Sequence, residues 1–270
     1  MTEEAAAAAT LVDTHCHLVL LEERGLLHAA LDSAAEAGVT QIISVGLNVE
    51  DSDRNRVLAE AHDNVWFTVG WHPHQARAPD DAQLEALDTL LRHPRAVAVG
   101  EIGLDLFFRP GYHDTPLDEQ RRAMHAMLDL AAAHRKPVVV HDRDAHAEVL
   151  AAVREHAGVR GVMHCFSGDV AFARECVAAG YAISFSGMVT FARSEPIQAS
   201  AAAVGEGDYV VETDSPFLAP VPHRGRPNLP GYVAATAAAV ARLRGVDDDV
   251  ARAQSTRTAR RVFNLPSRAP

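Results

Sequence analysis

Cysteine is scarce in this chain. Cys16, Cys165 and Cys176 are the whole complement, an odd and sparse set that offers no disulfide framework and points to a reducing compartment. Lysine is scarcer still: Lys136 is the only one, so nearly all positive charge is arginine. With a formal net charge of −11 at pH 7, a broadly basic surface that coats nucleic acid is excluded, because such binding needs many clustered cations. A local basic pocket remains allowed. No apolar run approaches the roughly 20 residues of a membrane span. The opening Met1-Thr2-Glu3-Glu4, followed by an alanine run at 5–9 read as a lead-in, lacks the basic and apolar regions of a signal peptide. A cytoplasmic location without membrane contact is therefore expected. Phosphate loops of the Walker or Rossmann type are missing. No G-x-S-x-G elbow accompanies Ser167 or Ser215, which argues against a serine hydrolase.

What is present is an ordinary globular composition, 48% hydrophobic and 23% charged over 270 residues. No linker or low-complexity block divides it, so residues 1–270 are expected to form one domain. Short β-branched runs alternate with longer Ala/Leu/Arg-rich helical patterns, the signature of βαβ units around a parallel sheet. Strands are expected near residues 10–17, 41–46, 65–70, 96–103, 137–142, 161–166, 182–186 and 209–215. Helices are expected at 22–37, 81–91, 117–134 and 144–156, with a helical tail over 232–263. Eight such units in about 250 residues match a closed (β/α)8 TIM barrel of parallel strands with a C-terminal helical extension. A doubly wound open sheet is the alternative, but it usually has fewer strands.

His15 and His17 end the first expected strand, and residues i and i+2 of an extended chain project from one face. Glu101 falls near the end of the fourth strand, His141 the fifth, His164 the sixth and Asp214 the eighth. In a barrel those ends converge on one mouth, where such enzymes place their sites. Four imidazoles and two carboxylates gathered there need partners, and a pair of divalent cations supplies them. His15, His17 and Asp214 would hold one, His141 and His164 the other, and Glu101 would bridge. Two ions about 3.5–4 Å apart can activate a shared hydroxide and clamp the oxygens of a displacement. A carboxylated lysine bridge is excluded, since Lys136 precedes a strand instead of ending one. Imidazole donors favour zinc, manganese or iron, with magnesium able to support activity in excess.

These residues sit in the segments Asp13-Thr14-His15-Cys16-His17-Leu18, Gly70-Trp71-His72-Pro73-His74, Gly100-Glu101-Ile102-Gly103-Leu104-Asp105, PVVVHDRDA at 137–145, His164-Cys165-Phe166-Ser167-Gly168 and ETDSPFLAPVPHRGRPN at 212–228. Together they make the chain, over essentially its whole length, similar to the TatD family of metal-dependent deoxyribonucleases within the amidohydrolase-like barrels. The resemblance implies a TIM barrel with two divalent ions that hydrolyses DNA phosphodiesters, commonly from the 3′ end of single strands, and the six ligand positions coincide with the family's. Departures at Met124, Met127, Leu229 and Thr258 lie outside the ligand set and bear on substrate preference more than on metal binding.

Other residues carry two readings each. His72 and His74 either donate to a phosphate or hold a water, or they form a rigid loop with one satisfied imidazole. Arg143 either grips a phosphate or pairs with Asp144 at a helix start. His223, Arg224 and Arg226 form a local cationic cluster suited to a DNA backbone, or a solvated loop. Trp71 and Phe217 are candidate stacking surfaces for a strand end. Cys16 and Cys165, flanking ligands, are expected to point the opposite way into the core, and Glu212 to support a ligand without being one. The mechanism implied is metal-assisted phosphodiester hydrolysis in which Asp214 orients the nucleophile and takes its proton. Two other readings stand beside it: a hydrolase of the same group acting on a small phosphoester or amide, and a metal-dead binding protein. A monomer is the simplest oligomeric expectation.

Overall fold

The eight β-branched stretches form eight parallel strands in the computed structural model, which describes residues 10–109 and 111–267; the alanine run at 5–9 lies outside them. The strands are β1 Leu11–Cys16, β2 Val39–Ser44, β3 Val65–Val69, β4 Ala96–Asp105, β5 Val138–Arg143, β6 Gly161–Met163, β7 Tyr181–Phe185 and β8 Tyr209–Val211. They pair in sequence order. The ring closes beyond β8: Cys16 and Ser215 form a parallel bridge, and the Asp214 and His17 amides donate to His15 O and Ser215 O at 2.9 and 2.8 Å. This is the expected TIM barrel.

The helices are α1 Leu18–Glu23, α2 Leu27–Glu36, α3 Val49–Ala61, α4 Asp81–Leu91, α5 Leu117–His134, α6 His146–Glu155, α7 Val170–Ala178, α8 Glu195–Ala203, α9 Val233–Arg244 and α10 Asp248–Phe263. Two expectations need correction. The helix expected over 22–37 is two helices, parted at Gly25, whose φ of 69° suits glycine. The tail likewise breaks at Gly245, φ 67°.

Buried apolar residues fall into two clusters on the two sides of the strands. The inner one takes Val12, Ile43, Trp66, Val97, Val139, Val162, Ala182 and Val210, at least one from every strand, with Ala259, Phe263 and Leu265 beneath them. Residue α10 Arg260 donates to Gln41 at the start of β2, and Tyr209 at the start of β8 donates to Ala251 O. The helical extension therefore plugs the N-terminal end of the barrel. The outer cluster packs the strands against the surrounding helices. Fully burying each large aliphatic or aromatic side chain contributes about 1.5–3 kcal/mol.

Alternation along each strand then fixes what lies above that inner layer. Two residues on from Val139 is His141, from Val162 is His164, and from Val210 is Glu212, so polar groups take the inner positions at the C-terminal mouth. On β1 the register slips between Asp13 and Cys16. That slip turns His15 and His17 to the same interior as Val12 and leaves Cys16 in the outer core.

Candidate metal centre

Glu101 lies at the centre of the mouth, 2% exposed. It was expected at a strand end, but β4 continues to Asp105, with a bulge between Gly100 and Ile102. Its amide donates to Gly46 O and its carbonyl accepts from Trp71 N. A Cβ on Gly70 would lie 2.2 Å from Gly46 O and 2.3 Å from Glu101 N. Only glycine permits the approach that holds this backbone.

Around the Glu101 carboxylate, histidines divide by oxygen. His15 Nε2 stands 3.5 Å from Oε2; His141 Nδ1, His72 Nε2 and His164 Nε2 stand 2.8, 3.5 and 3.7 Å from Oε1. His17 Nε2 is 3.3 Å from Asp214 Oδ1 and 3.3 Å from His15 Nε2. Asp214 follows β8 by three residues at φ 58°, the left-handed region that aspartate tolerates better than most residues. Two buried ring nitrogens facing each other at 3.3 Å beside a carboxylate suit a shared cation. His15, His17 and Asp214 form one such group, and His15, Glu101 and His164 another. His141 groups most tightly with His72 and His74 instead of with His164, whose ring centroid is 6.4 Å away.

Burial and neighbouring charges set the protonation of these groups. Burial, the largest cause, depresses His15 to about 3 and His72 to about 4, with neighbouring imidazoles adding to the effect and Glu101 opposing it. Burial also opposes charge on His141, yet bonds to Asp105 and Glu101 outweigh it and push it up to about 10. His164 is raised to about 9 against burial by the charges of Glu212 and Glu101. Burial would raise Glu101, but its histidines hold it well below the usual carboxylate range. Buried carboxylates that need positive charge, ringed by imidazoles, have the donor chemistry of a divalent transition-metal site.

Two carboxylates stand behind the histidines. Glu212, buried at 1%, accepts from Cys165 N at 2.8 Å and from Ser184 Oγ, and its Oε1 lies 2.8 Å from His164 Nδ1. Asp105, fully buried, has Oδ2 3.1 Å from His141 Nε2 and 2.8 Å from His74 Nε2. Carboxylates so placed orient metal-binding imidazoles. Sequence reasoning missed Asp105 as a site residue. The signal was its spacing of four from Glu101, an even step along one strand that ran further than expected.

His72 and His74 join the cluster, with His72 Nδ1 accepting from His74 N. Arg143 does not pair with Asp144; it donates to Tyr112 Oη at 2.9 Å and lies over the Phe107 ring. His223 stacks on Tyr232 with centroids 3.7 Å apart, and Arg224 lies over Phe191. Arg226 is exposed. Two expectations are corrected. Trp71 is buried and its Nε1 donates to Arg77 O, so it offers no stacking face, whereas Phe217 is 44% exposed and meets His17 edge-on. Cys165 is half-buried at φ 45°, its Sγ 3.3 Å from Ser186 Oγ and grouped with His164 and Asp214, because β6 stops at Met163 and strand parity no longer applies. Among the described residues no helix is long and apolar enough to cross a membrane.

The chain is similar to known proteins over nearly its whole length. The family model described as TatD related DNase matches residues 12–264. A Mycobacterium tuberculosis protein named as the uncharacterized metal-dependent hydrolase TatD is 36% identical over 94% of this chain and 98% of its own. The 3′-5′ ssDNA/RNA exonuclease TatD of Pectobacterium carotovorum is 35% identical over 86% of this chain and 91% of its own. The crystal structure of the TatD homologue YjjV from Escherichia coli K12 superposes with a TM-score of 0.89 at 31% identity, covering 96% of this chain and all of that one. With a match that spans all eight strands and every residue gathered at the mouth, the chain belongs to the TatD family of metal-dependent hydrolases.

Proposed function

We propose that this one-domain hydrolase acts in the cytoplasm on DNA, removing nucleotides from the 3′ end of single strands with two divalent cations at the barrel mouth. His15, His17 and Asp214 would hold one cation, His141 and His164 the other, and Glu101 would give one oxygen to each. The observation that carries this reading is the division of Glu101 itself, Oε2 toward His15 and Oε1 toward His141 and His164. Bound there, the cations supply Lewis acidity toward the phosphate and a water of lowered pKa. Imidazole donors favour zinc, manganese or iron for tight binding.

The chain's own groups then have distinct tasks. Asp214 Oδ1, among the ring nitrogens of His15, His17 and His164, accepts the proton of the water that attacks phosphorus. A bond forms from water oxygen to phosphorus as the bond to the leaving ester oxygen breaks in line, and Asp214 passes the proton on to that leaving oxygen. Glu212 and Asp105 hold the imidazoles in orientation. His72, 3.5 Å from Glu101 Oε1, and Arg143, held beside Tyr112 and Phe107, would steady non-bridging phosphate oxygens, with His74 behind His72. Phe217 offers a face to a terminal base, a contact that tolerates any sequence. His223, Arg224 and Arg226 would meet the trailing backbone. The family description and the name of the Pectobacterium relative support nucleic acid as the substrate.

Digestion of 3′- and 5′-labelled single strands with manganese or magnesium, and with an EDTA control, tests the reading. Early release of the 3′ label and a descending ladder of 5′-labelled products are expected. First release of the 5′ label overturns the polarity, and cleavage of a small chromogenic diester with no action on DNA overturns the substrate.

A further inference from the structure

We propose that His74, Asp105 and His113 form a third cation site, on the rim of the mouth and apart from the two centred on Glu101. Asp105 ends β4, fully buried, and its two oxygens face different rings: Oδ2 is 2.8 Å from His74 Nε2, and Oδ1 is 3.4 Å from His113 Nε2. The two rings stack, centroids 4.2 Å apart and planes 14° from parallel, so both edges address one carboxylate. Two donors that share a tetrahedral ion at about 2.0–2.1 Å each lie about 3.3 Å apart. The His113–Asp105 separation, 3.4 Å, matches that distance, and His74 would exchange its 2.8 Å hydrogen bond to Asp105 for a shared ion.

The second observation is His113 itself. Its side chain is 2% exposed, yet Nδ1 has no hydrogen-bond partner and Nε2 meets only Asp105 Oδ1, at 3.4 Å. Buried polar groups are almost always satisfied, and a buried imidazole aimed at a carboxylate without a good hydrogen bond to it suits a metal ligand. The site shares no residue with the His15, His17 and Asp214 group or with His164. It adjoins the Glu101 centre on one side, where His74 also groups with His72 and His141 and where His141 Nε2 lies 3.1 Å from Asp105 Oδ2.

Two imidazoles and one carboxylate suit a borderline transition metal such as zinc, manganese or iron. Tyr112 lies beside these donors, its hydroxyl donating to Asp105 Oδ2 at 3.2 Å. A cavity of about 600 Å³ lined by Phe108, Arg109, Tyr112 and His113 opens on the same rim, leaving room for water or a phosphate oxygen. Gln120 pins both ends of the intervening loop, accepting from Asp105 N at 2.8 Å and donating to Thr115 O at 3.0 Å. A cation here would tie that loop to the end of β4 and set positive charge beside Arg143.

Crystals of the full chain grown with zinc, measured for anomalous scattering at the zinc edge, locate every bound ion. The expected result is a peak within bonding distance of His74, Asp105 and His113. Elemental analysis of His113→Ala should then show one equivalent fewer than the wild type, with the peaks around Glu101 retained. A melting curve in EDTA checks that this variant folds; should it not, His113→Gln serves for the same count. No peak at the rim, ordered water bonded to His113 in its place, or an unchanged metal count in the variant overturns the proposal. Because peaks around Glu101 are scored separately, their absence with the rim peak present would fail the two-ion reading and leave this one standing.

Discussion

Replacing Asp214 by Asn removes one negative charge from a point 3.3 Å from His17 Nε2, 3.8 Å from His15 Nε2 and 4.0 Å from His164 Nε2. The fold should survive. The Asp214 amide still donates to His15 O, and asparagine tolerates the φ of 58° as aspartate does. Stability is therefore expected to stay within about 1 kcal/mol, a melting shift of roughly 2–4 °C for a chain of this size. Activity should not survive. The amide accepts no proton from the attacking water, and loss of a general base costs about 10²- to 10⁴-fold. Charge pairs at about 4 Å interact by about 4 kcal/mol at an effective dielectric of 20, so cation affinity falls as well. At least a 100-fold loss is expected, about 2.7 kcal/mol of transition-state stabilisation. Single-turnover decay of a labelled strand at saturating manganese separates the lost proton acceptor from the lost affinity. A rate within tenfold of the wild type, with an unchanged melting curve, would refute the role assigned to Asp214.

Glu212→Gln should weaken cation binding by about 10- to 100-fold, the usual effect of removing a carboxylate behind a ligating imidazole; equilibrium dialysis against manganese measures it. Gly70→Ala puts a methyl group against Gly46 O and Glu101 N. Overpacking there should cost about 1–3 kcal/mol in urea unfolding and lower cation affinity at the same time. His146, half-exposed, is raised above 6.5 chiefly by its hydrogen bond to Asp142, with burial opposing. A raised folded value means that this pair stabilises fully below pH 6.5 and that the contribution fades as pH rises through the folded value. In Asp142→Asn the His146 titration seen by NMR should move down, and the stability difference from wild type should be larger at pH 6 than at pH 8.

The barrel was legible in the sequence because alternating β-branched and helical runs leave few other ways to bury both faces of eight strands. His141 and His164 were legible for the same reason, since inner positions above an apolar layer converge on the mouth; His15, His17, Glu101 and Asp214 were legible as groups near strand ends, without the way each one faces. What escaped lay where the backbone departs from regular strands. The slip in β1, the bulge at Gly100 and the early end of β6 set which way Glu101 and Cys165 face, and no hydrophobic pattern records them. Asp105 and His113 are brought together by a loop whose sequence, Phe107 through Asp114, carries no periodicity. The cationic run His223 to Arg226 was visible as charge, but its stacking on Tyr232 and Phe191 depends on partners distant in the chain.

The central claim, a cation-dependent hydrolysis that engages a strand end, is tested most directly by incubating a linear single strand and its covalently closed circle of identical sequence with manganese, each with and without EDTA. Ligands buried within the barrel mouth and a net charge of −11 predict stepwise shortening of the linear strand, an intact circle and no reaction in EDTA. Cutting of the circle as fast as the linear strand, or cutting that persists in EDTA, would contradict the account.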